Sequence, residues 1–317
     1  MSLIEKAAKR LEELKRTGVD IGNAASGPDR AGDEPVGRDL HVPDLIARTL
    51  QIPELRGPSA EPTRPAPPIS PSPRSKKITF DLARLAAQGF VTPDAPRSPI
   101  ATEFRVIKRP LIANVQGRSG IRPKNANLIM ITSALAGEGK SFCALNLAMS
   151  IAMELDNTVL LVDADVARPS ILPMLELPPS PGLMDILGNP KLDPAEMFLR
   201  TNVEKLSILP AGTPHQRATE LLASEAMNRL VDEMASRYPD RIIIFDSPPL
   251  LLTTESPVLA THMGQIVVVV EAERTTANAL KQALTSIEQC PVVMTMLNKA
   301  RASDAGPYYG YGYHYAP

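Results

Sequence analysis

The 317-residue chain has no tryptophan, two cysteines and only 4% aromatic residues. Cys143 and Cys290 are far apart and have no metal-ligand spacing, so a cysteine-ligated metal site is excluded and two structural thiols in a reducing cytoplasm are expected. No apolar run is long enough to span a bilayer and no signal peptide is recognisable, so any link to the inner face of the plasma membrane is expected to come through a partner. The 34 Lys and Arg are matched by 35 Asp and Glu, for a net charge of -1. That balance lacks the basic footprint of a general nucleic-acid binder, and no nucleic-acid partner is expected.

What the chain has in excess is proline, 32 residues, more than one compact α/β domain tolerates. They are densest before residue 76, where eleven of them fall. Residues 2–17 are predicted to form a short docking helix: Ser2 and Glu5 make a capping box, Gly18 ends it, and Leu3, Ala7, Leu11 and Leu14 share a stripe. Residues 19–76 lose all periodicity and culminate in Pro62–Pro71, the composition of a semi-extended linker. A main domain is expected over 77–300 and a separate tail over 301–317. Early in that domain, Leu82, Leu85 and Ala86 keep helical spacing before Gly89, and Phe104–Arg109 form a charged helical stretch that Pro110 is predicted to disrupt.

From residue 128 the pattern is repeated strand and helix. Leu128–Ile131, Val159–Val162, Ser207–Leu209, Arg241–Phe245, Ile266–Val270 and Val292–Met296 are apolar, β-branched runs, with helices expected at roughly 217–237, 256–263 and 275–288. Continuous Val/Ile runs are what strands buried on both faces require, so the expected fold is α/β, a mostly parallel sheet flanked by helices. Ligands of such sheets sit beyond the carboxyl ends of the strands.

One stretch organises that end. Ala134-Leu135-Ala136-Gly137-Glu138-Gly139-Lys140-Ser141 lies between the run Leu128–Ile131 and the helical spacing of Phe142–Ala148, giving strand, glycine loop and helix: a P-loop with Ala134 at its usual first glycine. Gly137 and Gly139 let backbone N–H groups face phosphate oxygens, Lys140 reaches the β- and γ-phosphates, and the Ser141 hydroxyl suits Mg²⁺. Asp246, closing an apolar run, is placed to hold Mg²⁺. Asp163 and Asp165 stand at positions i and i+2 after another such run, where one carboxylate can aid the metal and the other accept a proton. Plain turn or cap roles for these aspartates stay open at this point.

The tail carries a second signal. Tyr308, Tyr309, Tyr311, Tyr313 and Tyr315, five of six tyrosines, fall in the last ten residues, interleaved with glycine. Such a segment cannot build a core, and each phosphate placed on it would add about -1.5 to -2 charges.

Together, Ala134–Ser141, Val159–Asp165 and Ile242–Asp246 resemble the Walker A, A′ and B motifs of bacterial tyrosine autokinases, relatives of the Min- and Par-type ATPases. Met1–Leu14, Phe104–Pro110 and the tyrosine-rich end resemble the exosortase-associated branch that governs exopolysaccharide export. The resemblance implies ATP and Mg²⁺ as cofactors and a nucleotide contact over Ala136, Gly137, Glu138, Gly139, Lys140, Ser141 and Phe142, with Asn298 near the adenine. It implies Lys140, Asp163 and Asp165 as catalytic residues, Asp165 being the base, and Ser141, Asp163 and Asp246 as metal ligands. It further implies phosphoacceptors at the five tail tyrosines, a ring of subunits held through Arg105 and Lys108, a membrane polysaccharide co-polymerase or chain-length protein as activator, and a tyrosine phosphatase. Leu135 replaces the signature lysine of the Min and Par ATPases, which favours a kinase over the alternative, a switch ATPase without kinase activity. Ala167 stands where the A′ pattern has a basic residue, with Arg168 next, and Thr102 stands at an acidic position of the subunit-contact motif, with Glu103 next.

Overall fold

The computed structural model describes residues 75–120, 123–237 and 241–300. The expected helix over 2–17, the expected linker up to residue 74 and the tail tyrosines lie outside the described residues, while Lys76 already joins the domain, its carbonyl accepting from Arg200 N at 2.9 Å. The elements in chain order are α1 (Leu82–Ala87), α2 (Pro99–Val115), β1 (Leu128–Ser133), α3 (Lys140–Ala152), β2 (Thr158–Asp163), α4 (Ile171–Met174), α5 (Leu183–Gly188) and α6 (Pro194–Met197). There follow β3 (Leu199–Arg200), β4 (Leu206–Leu209), α7 (Ala218–Leu222), α8 (Glu225–Arg237), β5 (Arg241–Asp246), α9 (Glu255–Ala260), β6 (Gln265–Glu271), α10 (Ala277–Thr285) and β7 (Val293–Asn298). The seven strands form one sheet in the order β3-β4-β2-β5-β1-β6-β7, parallel throughout except for the antiparallel β3–β4 edge.

Strand alternation divides the core in two, because successive side chains point to opposite faces. Ile129, Ile131, Val159, Leu161, Ile242 and Ile244 pack with α2 and α3 residues such as Phe104, Leu111 and Leu147. Leu128, Met130, Leu160, Val162, Ile243 and Phe245 face the other way, onto Met227, Leu230 and Met234 of α8 and Leu259 of α9. Both faces of the central strands are buried, as their unbroken apolar composition predicts. The buried Cys143 has its thiol pushed up to about 12, by burial and then by the Asp246 charge. Burial likewise raises the Cys290 thiol, so both stay protonated near neutral pH.

Three expectations are corrected. Pro110 does not end its helix: α2 runs through it to Val115. The N–H that Pro110 lacks would have bonded the Val106 carbonyl, and Val106 is 63% exposed, so water can serve that carbonyl while Phe104, Leu111 and Asn114 hold the inner face. The single helix expected over 217–237 is two, because the Ser224 hydroxyl donates to Leu221 O (2.6 Å) and accepts from Met227 N (3.3 Å) between them. Lys108 is not a free contact residue. It is 4% exposed, paired with Glu154 Oε1 (2.6 Å), and donates to Ser150 O (2.6 Å) at the C-terminal end of α3, where backbone carbonyls favour a cation. Arg105 by contrast is exposed, donating from Nη2 to Pro96 O at 2.7 Å.

The two α2 cations therefore separate experimentally. Lys108→Met is expected to cost about 1–2 kcal/mol of unfolding free energy, since Glu154 is itself half exposed and the carbonyl loses its donor. Arg105→Ala is expected to stay within about 0.5 kcal/mol. Urea denaturation of the two variants measures both.

Candidate nucleotide and phosphoryl-transfer site

The loop between β1 and α3 turns through two left-handed glycines, Gly137 (φ 86°) and Gly139 (φ 96°), a conformation that side-chain-bearing residues resist. Its shape is held from outside. The buried carboxylate of Glu138 accepts from Leu135 N (2.8 Å) and from the Thr275 hydroxyl. Asn298 Nδ2 donates to Glu138 O at 2.9 Å, and Lys299 Nζ donates to Gly137 O at 2.7 Å while pairing with Glu271 Oε1 at 3.1 Å. A Cβ at position 139 would fall 2.1 Å from Asn298 Nδ2. Glu138 and Asn298 thus brace the loop, while Ala136, Gly137, Gly139, Lys140, Ser141 and Phe142 line the cleft beside it.

The sheet register brings the acids together. Asp163 and Asp246 are direct partners across the parallel β2–β5 pair, and both are fully buried. Asp163 Oδ2 accepts from Ser170 N and Ile171 N, each at 3.1 Å. Burial first, then the charge of Asp246, pushes the Asp163 carboxyl up to about 7; burial also raises Asp246, to about 6, against the lowering pull of Lys140 and the Ser141 hydroxyl. One oxygen of each carboxylate, Asp163 Oδ1 and Asp246 Oδ1, is buried with no hydrogen-bond partner. Two orphaned acidic oxygens beside the Ser141 hydroxyl fit a divalent cation. No cluster of three His, Cys, Asp or Glu side chains among the described residues could hold one unaided. Mg²⁺ needs no more than one or two carboxylates when phosphate oxygens and water complete its shell.

Asp165 stands apart from that pair. Its Oδ2 is ion-paired to Lys140 Nζ at 2.7 Å, and its Oδ1 accepts from Arg168 N at 3.2 Å. Lys140, Asp165 and Ser141 all face a cleft of about 550 Å³ whose other wall includes Met174, Pro249 and Leu252. The arrangement joins a phosphate cradle, a lysine cation and an acid at one opening, parts that phosphoryl transfer requires.

The carboxyl shifts have a testable sign. Unfolded, these groups lose their protons near 3.8; folded, they hold them to about 6 and 7. Between those values the folded chain binds more protons, so the unfolding free energy contributed by the pair falls as pH rises from about 4 to about 7. In thermal melts without nucleotide, Asp163→Asn is expected to gain on the wild type as pH is raised from 5 to about 7 and to level off above it. A gap that narrows instead would refute the raised carboxyls.

Three residues that touch the site were not singled out in the sequence. Thr275 and Lys299 reach the loop across 137 and 162 residues and carry no local signature. Ser170 donates from Oγ to Ser141 Oγ at 2.7 Å and lies 3.5 Å from Asp246 Oδ2. Its one sequence cue is its place just after Arg168-Pro169.

Residues 124–294, more than half the chain, match the ParA family model, described as NUBPL iron-transfer P-loop NTPase. Tyrosine-protein kinase YwqD of Bacillus subtilis is 30% identical over 219 residues, covering 68% of this chain and 88% of YwqD. Succinoglycan biosynthesis transport protein ExoP of Rhizobium meliloti is 33% identical over 235 residues, 73% of this chain, which spans only 28% of ExoP. Among solved structures, that of the chimerical protein CapA2B2 superposes with a TM-score of 0.55 at 27% identity, covering 69% of this chain and 92% of that one.

Proposed function

Because the chain belongs to the bacterial tyrosine-protein kinases, built on a ParA-type P-loop domain, we propose that it transfers the γ-phosphoryl group of ATP to its own C-terminal tyrosines, in trans between subunits. The acceptors are Tyr308, Tyr309, Tyr311, Tyr313 and Tyr315. The observation that carries this reading is the cleft beside the glycine loop, lined by Lys140, Ser141 and Asp165, with the buried Asp163–Asp246 pair reaching it through Ser170.

The chemistry follows from the pairs present. Phosphate oxygens compete for Lys140 with Asp165, so nucleotide binding draws the ammonium off the carboxylate and leaves Asp165 free to act as base. The tyrosine oxygen attacks the γ-phosphorus, its proton passes to Asp165, the bond from that phosphorus to the β,γ-bridging oxygen breaks, and ADP departs. Backbone N–H groups of the loop and Lys140 stabilise charge on the transferred group. Ser141 and Asp246, with Asp163 beside them, would hold Mg²⁺, which supplies neutralisation of phosphate charge.

Around this centre we place a docking helix at 1–18, a linker at 19–76, the kinase domain at 77–300 and the acceptor tail at 301–317. Among the described residues no helix is long and apolar enough to cross a membrane. In this reading a membrane chain-length protein would recruit and activate the kinase at the inner face, subunits would associate in a ring through Arg105 on α2, a phosphatase would reset the tail, and the output would be exopolysaccharide polymerisation or export. The relative ExoP, a succinoglycan biosynthesis transport protein, supports that setting. The ParA match favours one alternative, a switch ATPase whose product is a conformational change.

Intact-mass analysis decides between them. Dephosphorylated protein given ATP and Mg²⁺, with a candidate activator segment also tested, is expected to gain successive phosphates confined to the five tail tyrosines, and none when all five are Phe. ATP consumed without added mass, activator included, would leave the switch ATPase as the better reading.

A further inference from the structure

Ser170 stands at the cap position ahead of α4, where a serine hydroxyl ordinarily accepts from the first N–H groups of its helix. Here it makes no such bond. The Asp163 carboxylate takes the N–H groups of Ser170 and Ile171 instead, each at 3.1 Å, which leaves the Ser170 hydroxyl free. That hydroxyl turns the other way, donating to Ser141 Oγ at 2.7 Å with Asp246 Oδ2 at 3.5 Å. Through one backbone N–H and one hydroxyl, Ser170 therefore meets all three candidate cation ligands. It also borders the cleft, so it stands between the carboxylate pair and the phosphate cradle.

We propose that Ser170 is a positioning residue of the divalent-cation site, its hydroxyl setting the Ser141 hydroxyl and the Asp246 carboxylate in place for the cation that accompanies the nucleotide. The proposal rests on the site reading above only in its cation, not in the acceptor tyrosine. Fixing the orientation of ligand side chains from outside the ligand set is worth about 10- to 100-fold in metal affinity where it has been tested. The backbone half of the Ser170 contacts survives substitution by alanine, and with it the anchoring of Asp163; only the hydroxyl is lost.

The test reads cation binding instead of phosphorylation. Affinity for a fluorescent ADP analogue is measured in the full chain across a Mg²⁺ titration and in EDTA, and Mn²⁺ binding to the protein–ADP complex is followed by electron paramagnetic resonance. For Ser170→Ala, the Mg²⁺ concentration giving half the nucleotide enhancement is expected to rise about tenfold or more, with affinity in EDTA changed less than twofold and the thermal midpoint near the wild type. Ser170→Thr, which keeps a hydroxyl, is expected to restore the wild-type titration. Unchanged Mg²⁺ and Mn²⁺ titrations in Ser170→Ala would overturn the role, as would an equal loss of affinity in EDTA, the mark of a merely structural residue. Wild-type affinity indifferent to Mg²⁺ would overturn the cation site, and this proposal with it, while leaving tail phosphorylation to be judged by mass.

Discussion

Lys140→Met is expected to lower tail phosphorylation by at least about a hundred- to a thousandfold, the range seen when one preorganised charge-stabilising donor is removed from a transition state. The structure adds a second consequence. Lys140 Nζ lies 2.7 Å from Asp165 Oδ2, and both side chains are largely buried, so the variant leaves a carboxylate without its cation. Near pH 8 that is expected to cost about 1–2 kcal/mol of stability, softened by the Arg168 N–H that still reaches Asp165 Oδ1. Adding Asp165→Asn to Lys140→Met is expected to return most of the stability and none of the phosphorylation. Phosphate persisting on the tail of purified Lys140→Met, with no other kinase present, would refute the assignment. Stability that fails to recover in the double variant would show that the ion pair matters little to the fold.

Gly182→Ala is expected to cost about 3 kcal/mol or more, a larger effect on folding than any cleft substitution. Gly182 has φ near -169°, an extended backbone open to any residue, so the obstacle is space alone. A Cβ there would meet Pro210 O at 2.0 Å and Pro210 C at 2.6 Å, both backbone atoms that cannot rotate away. The neighbouring bonds hold them in place: Leu183 N donates to Pro210 O at 2.8 Å, Met184 N to Ala211 O at 2.9 Å, and Asp185 Oδ2 accepts from Gly182 N and Thr213 N. Overpacking against fixed neighbours destabilises folded chains by this order. Urea denaturation measures it; a loss under about 1 kcal/mol would mean that the Pro210–Thr213 loop yields.

Within the kinase domain, the legible parts are those whose physics is local. Burial on both faces demands unbroken apolar runs, so β1, β2, β5 and β6 could be read at nearly their full length from Val, Ile and Leu alone. Left-handed turns demand glycine, so Gly137 and Gly139 announced the loop, and the lysine and serine that follow announced its ligand class. Edges were harder. β3 has two residues and α4 to α6 are short, below the length at which a period can be recognised, and Pro110 misled because its cost depends on which way Val106 faces.

By its own order, then, the sequence determined the sheet class, the phosphate loop and the three aspartates at or just past the strand ends, because each depends on what neighbours along the chain permit. Tertiary structure decided how those parts are used. It paired Asp163 with Asp246 through strand register, turned Lys140 onto Asp165, withdrew Lys108 from the surface to the end of α3, and set Ser170 and Thr275 against a loop 29 and 137 residues away. Such contacts depend on which distant side chains share a buried space. A buried polar group must find a partner among whatever the fold brings near, and no local rule of composition or spacing names that partner in advance.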